Sequence, residues 1–281
     1  MATHPFRIVN VFTRSQGALT GNPLCVFEDG SGLEPEVMQG LARQFNLSET
    51  TFILPSSHAD ARVRIFTPSY EMPFAGHPTL GTAQVCRALN PGKHALVLEM
   101  QAGLIPVRAQ GDRWTLTAVG ATWRELDAPR DELAAALGIN ASDIGERPLW
   151  MKAGKEQLVV PLTSVEAVRR VSPVPHRLQN IRSEDGQSMA YVFCLSGEHR
   201  ALARFFFPQG GAILEDPATG SATANLGAWC LAMKQTPPLH MQISQGEYVA
   251  RPSDLFLEVT AERQILVGGD VIEIGRGGVT L

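Results

Sequence analysis

The chain has 281 residues, 44% of them hydrophobic, so it can bury a full core and is long enough for two domains. Its 24 Lys and Arg residues and 28 Asp and Glu residues give a net charge of -4. Because no cluster of basic residues alternates with aromatic residues, we do not expect nucleic acid as a partner. Residues 1–7 lack signal-peptide features and no apolar run has the length of a membrane span, so we expect a cytoplasmic protein without a membrane partner.

The beginning of the chain has β-rich segments around one amphipathic helix. Residues 6–12 alternate in the manner of a strand and residues 24–27 follow a turn, which predicts an opening hairpin. Residues 34–45 place apolar side chains at three- and four-residue spacings, which predicts a helix. Further strands are predicted at residues 50–54 and 61–66.

The four cysteines are far apart in the sequence, with no close pair of the kind that holds zinc or forms a redox dithiol. We therefore predict that they are buried, reduced thiols. They are Cys25, Cys86, Cys194 and Cys230.

A second helix is predicted from about His77 to Leu89, where residues 90–92 end it with Asn-Pro-Gly. After it, strands and short helices follow in a less regular version of the first pattern. The predicted helices are at residues 130–137 and 165–170, and the predicted strands are at residues 96–100, 104–108, 114–117, 157–161, 190–195, 203–207, 241–244, 255–260, 264–267 and 271–274.

A third long helix is predicted from about Gly220 to Met233, and it carries no charged residue until Lys234. Because a helix that is apolar on every side must be enclosed on every side, we expect a sheet to curl around it. The helix that starts at His77 has only Arg87 as a charged residue before Leu89, and it suits a similar enclosure.

Two glycine-rich segments that look like helix openings, at residues 74–83 and 216–225, lie about half the chain apart. This spacing suggests two similar halves, residues 1–119 and 120–269. As a separate expectation, the last strand, residues 270–281, returns to the first half. The predicted fold class is α+β, with two pseudo-symmetric halves that each consist of a curled, mostly antiparallel sheet around a central helix. The halves are joined by residues 119–129.

Each helix opening offers backbone N–H groups and the positive end of a helix dipole, which makes both openings plausible anion sites. From the residues alone, His77 is either a ligand contact or a capping or packed histidine, and Asp216 and Ser221 are equally well explained as helix caps. A phosphate-loop lysine is missing at residues 76–82, and neither segment has the dinucleotide fingerprint, so we expect no cofactor.

Three acids lie near these segments in the sequence, and their local surroundings do not rank them. Glu49 stands between a predicted helix and a predicted strand, as an exposed turn glutamate also would. Glu71 and Glu215 stand beside the two helix openings.

Four motifs together resemble the PhzF-like phenazine biosynthesis family. They are NLSETTF at residues 46–52, RIFTP at residues 64–68, EMPFAGHPTLGTA at residues 71–83 and DPATGSA at residues 216–222. Gly21-Asn22-Pro23, Gln245-Gly246 and Arg251-Pro252 also fit, so the resemblance covers nearly the whole chain. Ala250 departs from the family pattern, in which a glycine is expected.

The resemblance implies the fold of diaminopimelate epimerase, in which the active site lies in a cleft between two α/β halves. Epimerases of that fold carry a cysteine at each helix opening, and the matching positions here are Ala75 and Thr219. A racemase mechanism that uses two thiols is therefore not expected. The resemblance also implies a homodimer.

In the family's phenazine enzyme, a glutamate moves a proton within a cyclic dihydroxyanthranilate-type substrate, and a histidine, an aspartate and a serine assist it. The resemblance assigns these catalytic roles to Glu49, His77, Asp216 and Ser221. We expect the substrate carboxylate to be bound by Asn22, Gly76, Thr219 and Gly220.

The hypothesis from the sequence is therefore an isomerase that moves a proton within a small carboxylic acid without a cofactor or metal. Glu49 would take the proton and return it at another carbon, which favours a pKa raised by burial. Two alternatives remain: a metabolite-binding protein of the same fold without activity, and an amino-acid epimerase that uses Glu49.

Overall fold

The computed structural model describes residues 1–14, 17–118 and 120–281. They form two units, which we call unit one, Met1–Thr117 with Gly268–Leu281, and unit two, Ala118–Val267. Val119, the predicted last residue of the first half, lies outside the described residues.

Unit one contains two helices, α1 at Pro35–Phe45 and α2 at Gly76–Leu89. Pro35 begins α1, and Asn46, in the left-handed region at φ 53°, ends it. The strands are β1 at Thr3–Val11, β2 at Asn22–Phe27, β3 at Thr50–Leu54, β4 at Ala61–Phe66, β5 at Glu71–Met72, β6 at Ala95–Met100, β7 at Gly103–Gln110 and β8 at Arg113–Thr117. The predicted hairpin, both helices and the predicted strands of this part are confirmed.

The strands of unit one form a mixed sheet in which most pairings are antiparallel. β2 runs parallel to β3 and β4 runs parallel to β6, whereas β1 with β2, β3 with β4, β4 with β5, β6 with β7 and β7 with β8 are antiparallel. The final strand of the chain pairs with both β1 and β8, so this sheet closes on itself.

Helix α2 is enclosed by that sheet, as its apolar sequence predicts. It contacts β1, β2, β3, β4, β6 and β8. At its sixth residue, Gly81, a Cβ atom would lie 2.6 Å from Leu24 Cδ2, so the close approach of α2 to β2 requires glycine. Helix α1 packs on the outside, where its Met38 and Leu41 meet Phe27 and Phe52 of the sheet.

Unit two contains four α-helices among the residues described, and the three predicted ones agree with their predicted bounds to within one residue. They are α3 at Arg130–Leu137, α4 at Val165–Arg170, α5 at Pro175–Leu178 and α6 at Gly220–Ala232. The strands are β9 at Thr122–Glu125, β10 at Leu149–Ala153, β11 at Lys155–Pro161, β12 at Ala190–Gly197, β13 at Arg200–Gln209, β14 at Ala212–Asp216, β15 at Leu239–Gln245 and β16 at Ser253–Val259.

The strand pairings of unit one recur in unit two in the same order. β11 runs parallel to β12 and β13 to β15, while β10 with β11, β12 with β13, β13 with β14 and β15 with β16 are antiparallel. Strands β10 to β16 therefore correspond to β1 to β7, and α6 corresponds to α2. This register assigns each residue near one helix opening a corresponding residue near the other.

Helix α6 is buried along most of its length, from Ala222 to Cys230, and it contacts β9, β10, β11 and β16. The predicted enclosure of this helix is therefore confirmed. A second hydrophobic core in unit two lies under α3, α4 and α5, with Trp150 as its largest member. Across the described ranges, no helix is both long and apolar enough to cross a membrane.

One prediction about the later chain is wrong. The strands predicted at residues 264–267 and 271–274 form one strand, β17 at Ile265–Thr280, because Gly268 and Gly269 interrupt the apolar pattern without ending the strand. A Cβ at Gly269 would lie 2.3 Å from Phe12 Cδ1, so close packing accounts for that glycine. The predicted joining segment also contains β9, which pairs with β10.

Candidate active site

Helix α2 begins without a side-chain cap. Its N-cap residue is Ala75, which makes no side-chain cap hydrogen bond. His77 is therefore not a cap but the second residue of the helix. The backbone N–H groups of Gly76 and His77 lie at the positive end of the helix dipole, where an anion is stabilised.

Glu49 lies beside this opening. It directly precedes β3, and its Oε2 atom is 3.4 Å from Nε2 of His77, with side chains 15% and 7% exposed, respectively. Oε2 is buried and accepts no hydrogen bond from any residue that the structure describes. A buried, unsatisfied carboxylate oxygen is costly, so this atom points to a proton or a ligand as its missing partner.

Burial raises the pKa of Glu49 to about 7, and the neighbouring Ser48 hydroxyl partly opposes the shift. A carboxyl group with such a pKa is present in both protonation states near neutral pH, as a group that takes and returns a proton must be. The Ser48 hydroxyl donates a hydrogen bond of 3.2 Å to Oδ1 of Asn22, a buried residue of β2. Unit one thus brings Glu49, His77 and Asn22 into one neighbourhood.

The opening of α6 is built differently. Its N-cap residue is Thr219, so the interpretation of Asp216 or Ser221 as the N-cap is wrong. The Thr219 hydroxyl donates to Oδ2 of Asp216 at 2.5 Å. The side chain of Gln245, the buried last residue of β15, accepts from the Thr219 N–H at 3.3 Å and donates to the Asp216 carbonyl at 2.8 Å. Asp216 and Thr219 are therefore held in one hydrogen-bonded turn.

Ser221 is the second residue of α6 and corresponds to His77. Its Oγ accepts a hydrogen bond of 3.0 Å from Nε2 of Gln157, a buried residue of β11. Unit two thus brings together Asp216, Thr219, Gly220 and Ser221, all of which the sequence predicts as site residues. Gln157 was missed, because nothing in its strand-like sequence distinguishes it. Gln245 was noted in the sequence as part of the Gln245-Gly246 motif, but no role was assigned to it.

The geometry separates the three acids that the sequence could not rank. Glu71 accepts two hydrogen bonds of 2.7 Å from Arg64, and Glu215 accepts hydrogen bonds of 3.1 and 2.7 Å from Arg204. Both carboxylates are thus neutralised by bidentate ion pairs that hold β5 and β14. Glu49 has no arginine partner among the described side chains, which leaves it as the acid with a raised pKa.

The register between the units gives Glu49 no acidic counterpart in unit two. Glu49 directly precedes β3, and the residue that directly precedes the corresponding strand β12 is Met189. The cysteine thiols stay protonated near neutral pH. All four cysteines are buried and free, as predicted, and burial raises the pKa of Cys86 and of Cys230 to about 12.

These features define a candidate site in unit one, a helix opening beside a buried carboxyl group with a raised pKa, and a second helix opening in unit two. A family model for phenazine biosynthesis-like proteins, PhzC-PhzF, matches residues 9–274. The chain therefore belongs to this family, as its motifs predict.

Individual relatives agree with this assignment. An uncharacterised isomerase of Pasteurella multocida is 38% identical over 280 residues, which cover 99% of this chain and 94% of the relative. The trans-2,3-dihydro-3-hydroxyanthranilate isomerase of Pseudomonas fluorescens is 35% identical over 99% of this chain and 100% of its own length. At the level of enzyme class, these relatives confirm the predicted isomerase.

A solved structure shows the same fold. The crystal structure of a PhzF-family protein of Bacillus anthracis superposes with a TM-score of 0.89 and covers 100% of both chains. At 24% sequence identity, this likeness supports the fold alone.

Proposed function

We propose that the chain is an isomerase that moves a proton within a small carboxylic acid, with Glu49 as the group that carries the proton. The observation that carries this proposal is the buried Oε2 of Glu49, 3.4 Å from His77 Nε2, together with a pKa of about 7. No cofactor or metal takes part in the proposed reaction. A cyclic acid of the anthranilate type is the proposed substrate class, because related isomerases are named for such a compound.

The step leaves the composition of the substrate unchanged. The Glu49 carboxylate takes a proton from one carbon, and the electron pair of that C–H bond moves into the adjacent unsaturated system. The resulting carboxylic acid returns the proton to a second carbon as the double bond shifts. Backbone N–H groups at Gly76 and His77 would stabilise the negative charge that develops on the substrate in between.

The remaining predicted residues have supporting roles in this proposal. Asn22 fixes the Ser48 hydroxyl beside Glu49, and the imidazole of His77 lies 3.4 Å from the Glu49 carboxyl group. Asp216, Thr219, Gly220 and Ser221 would bind a polar group of the substrate at the opening of α6. We predict that the openings of α2 and α6 bind the same substrate. If so, His77→Ala and Ser221→Ala each weaken the binding of the same acid.

The matching pairing order of the strands supports two pseudo-symmetric halves. The two halves differ at the proposed base, because Met189 holds the position in unit two that Glu49 holds in unit one. An epimerase needs a base and an acid on opposite faces of one carbon, and this asymmetry favours transfer between two carbons by a single carboxyl group. The cytoplasmic location and the homodimer remain predictions. Sedimentation equilibrium tests the latter, since a dimer has twice the monomer mass of 30.4 kDa.

The test is an isomerisation assay on trans-2,3-dihydro-3-hydroxyanthranilate and on simpler cyclic unsaturated acids, followed by NMR of the products. We expect turnover by the wild type and by Glu132→Gln, a control at an exposed position of α3, also after dialysis against a chelator. Glu49→Gln should lose at least about 100-fold in kcat/KM. Binding of acids without turnover by the wild type would instead support the metabolite-binding alternative, and inversion of an amino acid would support the epimerase.

A further inference from the structure

Ser221 is held by a buried amide whose orientation the backbone determines. We propose that Gln157 is a positioning residue that makes the Ser221 hydroxyl a hydrogen-bond donor toward an oxygen atom of the substrate. The proposal rests on the proposed function in one respect, namely that Ser221 contacts the bound acid. It adds the direction of that hydrogen bond and the residue that enforces it.

The argument starts from Asn225, a fully buried residue of α6. Its Oδ1 accepts a hydrogen bond of 2.6 Å from the backbone N–H of Ala153, and its Nδ2 donates one of 3.0 Å to the backbone carbonyl of Lys155. A backbone N–H only donates and a backbone carbonyl only accepts, so these two contacts allow one orientation of the Asn225 amide.

That orientation is passed on to Gln157. Nδ2 of Asn225 also lies 2.8 Å from the side chain of Gln157, and the atom it faces must be the acceptor, Oε1. The amide of Gln157 therefore turns its Nε2 toward Ser221, where it donates to Oγ at 3.0 Å. Gln157 is only 2% exposed, so solvent does not compete for these hydrogen bonds.

The consequence concerns the proton of Ser221. Because Nε2 of Gln157 occupies a lone pair of Oγ and has no acceptor capacity, the Ser221 proton must point elsewhere. Within residues 1–14, 17–118 and 120–281, no group is found to accept it, and the side chain of Ser221 is only half-buried. The second residue of α6 thus presents an O–H donor where the second residue of α2 presents His77.

Unit one shows that the fold does not need this polar chain. In unit one, Leu24 directly precedes Cys25, which pairs with the first residue of β3. In unit two, Gln157 holds the same position, because it directly precedes Leu158, which pairs with the first residue of β12. Gly81 and Asn225 are each the sixth residue of their helix. In unit one the contact between these positions is apolar, with Gly81 packed on Leu24. The amide pair of unit two, Gln157 and Asn225, is therefore not needed for the fold. Orientation of the Ser221 hydroxyl toward a bound ligand explains why it is present.

A donor at this position selects among ligands. It favours carboxylate, carbonyl or enolate oxygens, and it disfavours an ammonium group, which offers only donors. A hydrogen bond to a charged oxygen typically contributes about 1.5–3 kcal/mol, or roughly 10- to 150-fold in affinity. The effect of Gln157 on binding should fall within this range and should require the Ser221 hydroxyl.

The first experiment observes the proton directly in the full chain. Joint X-ray and neutron diffraction on deuterium-exchanged crystals should show the deuterons of Gln157 Nε2 directed at Ser221 Oγ and the Ser221 deuteron directed away from Gln157. A Ser221 deuteron directed at Gln157 would overturn the proposal, whatever the enzyme's activity.

The second experiment is a double-mutant cycle on binding. The probe is anthranilate, the aromatic parent of the substrate class, and its affinity is measured by calorimetry for the wild type, Gln157→Glu, Ser221→Ala and the double variant. A carboxylate at position 157 accepts the Ser221 proton and turns it inward, so Gln157→Glu should weaken binding about 10-fold or more. In the Ser221→Ala background the same substitution should change affinity less than about 2-fold, because its target is absent.

Gln157→Leu, which copies Leu24 of unit one, replaces Gln157→Glu if the buried charge prevents folding. It leaves the hydroxyl free to rotate and should weaken binding less than Gln157→Glu does, again only when Ser221 is present. Equal losses of anthranilate affinity with and without the Ser221 hydroxyl would assign Gln157 a structural role and overturn the proposal. Equal affinities in all variants, or no binding by any of them, would overturn it as well. Anthranilate binding with the predicted cycle but no turnover of any acid would refute the isomerase and leave this inference standing.

Discussion

Glu49 Oε2 lies 3.4 Å from His77 Nε2, and these two atoms come from the residue before β3 and from the second residue of α2. The contact places a carboxyl group with a pKa raised to about 7 at the positive end of a buried helix. It is stabilised by the sheet that encloses α2, since β3 and α2 are in contact. A functional group is thus positioned by two rigid elements.

The first prediction concerns the protonation of Glu49. With ¹³C-labelled glutamate side chains, one carboxyl resonance should titrate with a pKa of about 7, and it should be absent in Glu49→Gln. The physical reason is the burial of a charge that no arginine balances in the described part of the chain. If every glutamate instead titrates near 4.5, the proposed role of Glu49 loses its electrostatic basis.

The second prediction is that Glu49 destabilises the protein at alkaline pH. Because its pKa in the folded state is raised above the unfolded value, the folded state binds more protons between about pH 4.5 and pH 7, and the free energy of unfolding falls as the pH rises through this window. The difference amounts to at most about 3.4 kcal/mol. Glu49→Gln should therefore unfold at higher urea concentration than the wild type at pH 8.

The control for this stability effect is the same comparison at pH 4.5, where Glu49 is neutral in the folded state. It is half ionised in the unfolded chain, so the two proteins should differ by only about 0.4 kcal/mol. A gain in stability of the same size at both pH values would mean that the substitution acts through packing. A loss at pH 8 would contradict the raised pKa. Stabilisation combined with inactivity is the pattern expected when a buried group is retained for function.

The third prediction compares two ion pairs at corresponding positions. Arg204 and Glu215 are each 9% exposed, and Arg204 also donates to the carbonyl groups of Val168, Arg169 and Val171. Arg204→Met leaves Glu215 as an unpaired buried charge and should cost about 3–5 kcal/mol in urea unfolding.

Arg64 is the matched comparison, because its pair with Glu71 has the same bidentate geometry at 18% and 21% exposure. Arg64→Met should cost about 1–2 kcal/mol, since water solvates the carboxylate that remains. Equal costs for the two variants would show that burial does not determine the contribution of these pairs.

The fourth prediction concerns Ala250, which has a φ of 53° in the left-handed region. The glycine expected here from the family pattern has no Cβ and adopts this conformation freely, whereas alanine is strained by about 1 kcal/mol. Ala250→Gly should raise the free energy of unfolding by about that amount, although glycine usually destabilises. Ala228→Gly in the middle of α6 is the opposite control and should lower it.

The elements that could be predicted from the sequence are those whose burial follows a regular period. Helix α1 has one apolar stripe, and α6 is apolar all round, so its enclosure followed from the sequence as well as its bounds. Strands β5 and β14 were missed because their pairings are short or partly exposed. Strand β17 was divided because the adjacent residues Gly268 and Gly269 carry no periodic signal.

The site was predictable in its motifs but not in its chemistry. Glu49 and His77 are 28 positions apart in the sequence. The residues around them predict neither the burial of the Glu49 carboxyl group nor its distance from the His77 imidazole. Only the resemblance to a family singled out Glu49. The amides of Gln157 and Asn225 were missed for the same reason, because their partners lie in other elements of the fold.

Deuterium transfer tests the central claim most directly. The wild type and Glu49→Gln are incubated with trans-2,3-dihydro-3-hydroxyanthranilate in heavy water, and substrate and product are followed by ¹H NMR. If Glu49 carries the proton, the wild type forms product that contains deuterium at the newly protonated carbon, in proportion to the exchange of the Glu49 proton with solvent. Glu49→Gln forms at least about 100-fold less product in the same time. Isomerisation by Glu49→Gln at the rate of the wild type would contradict the account.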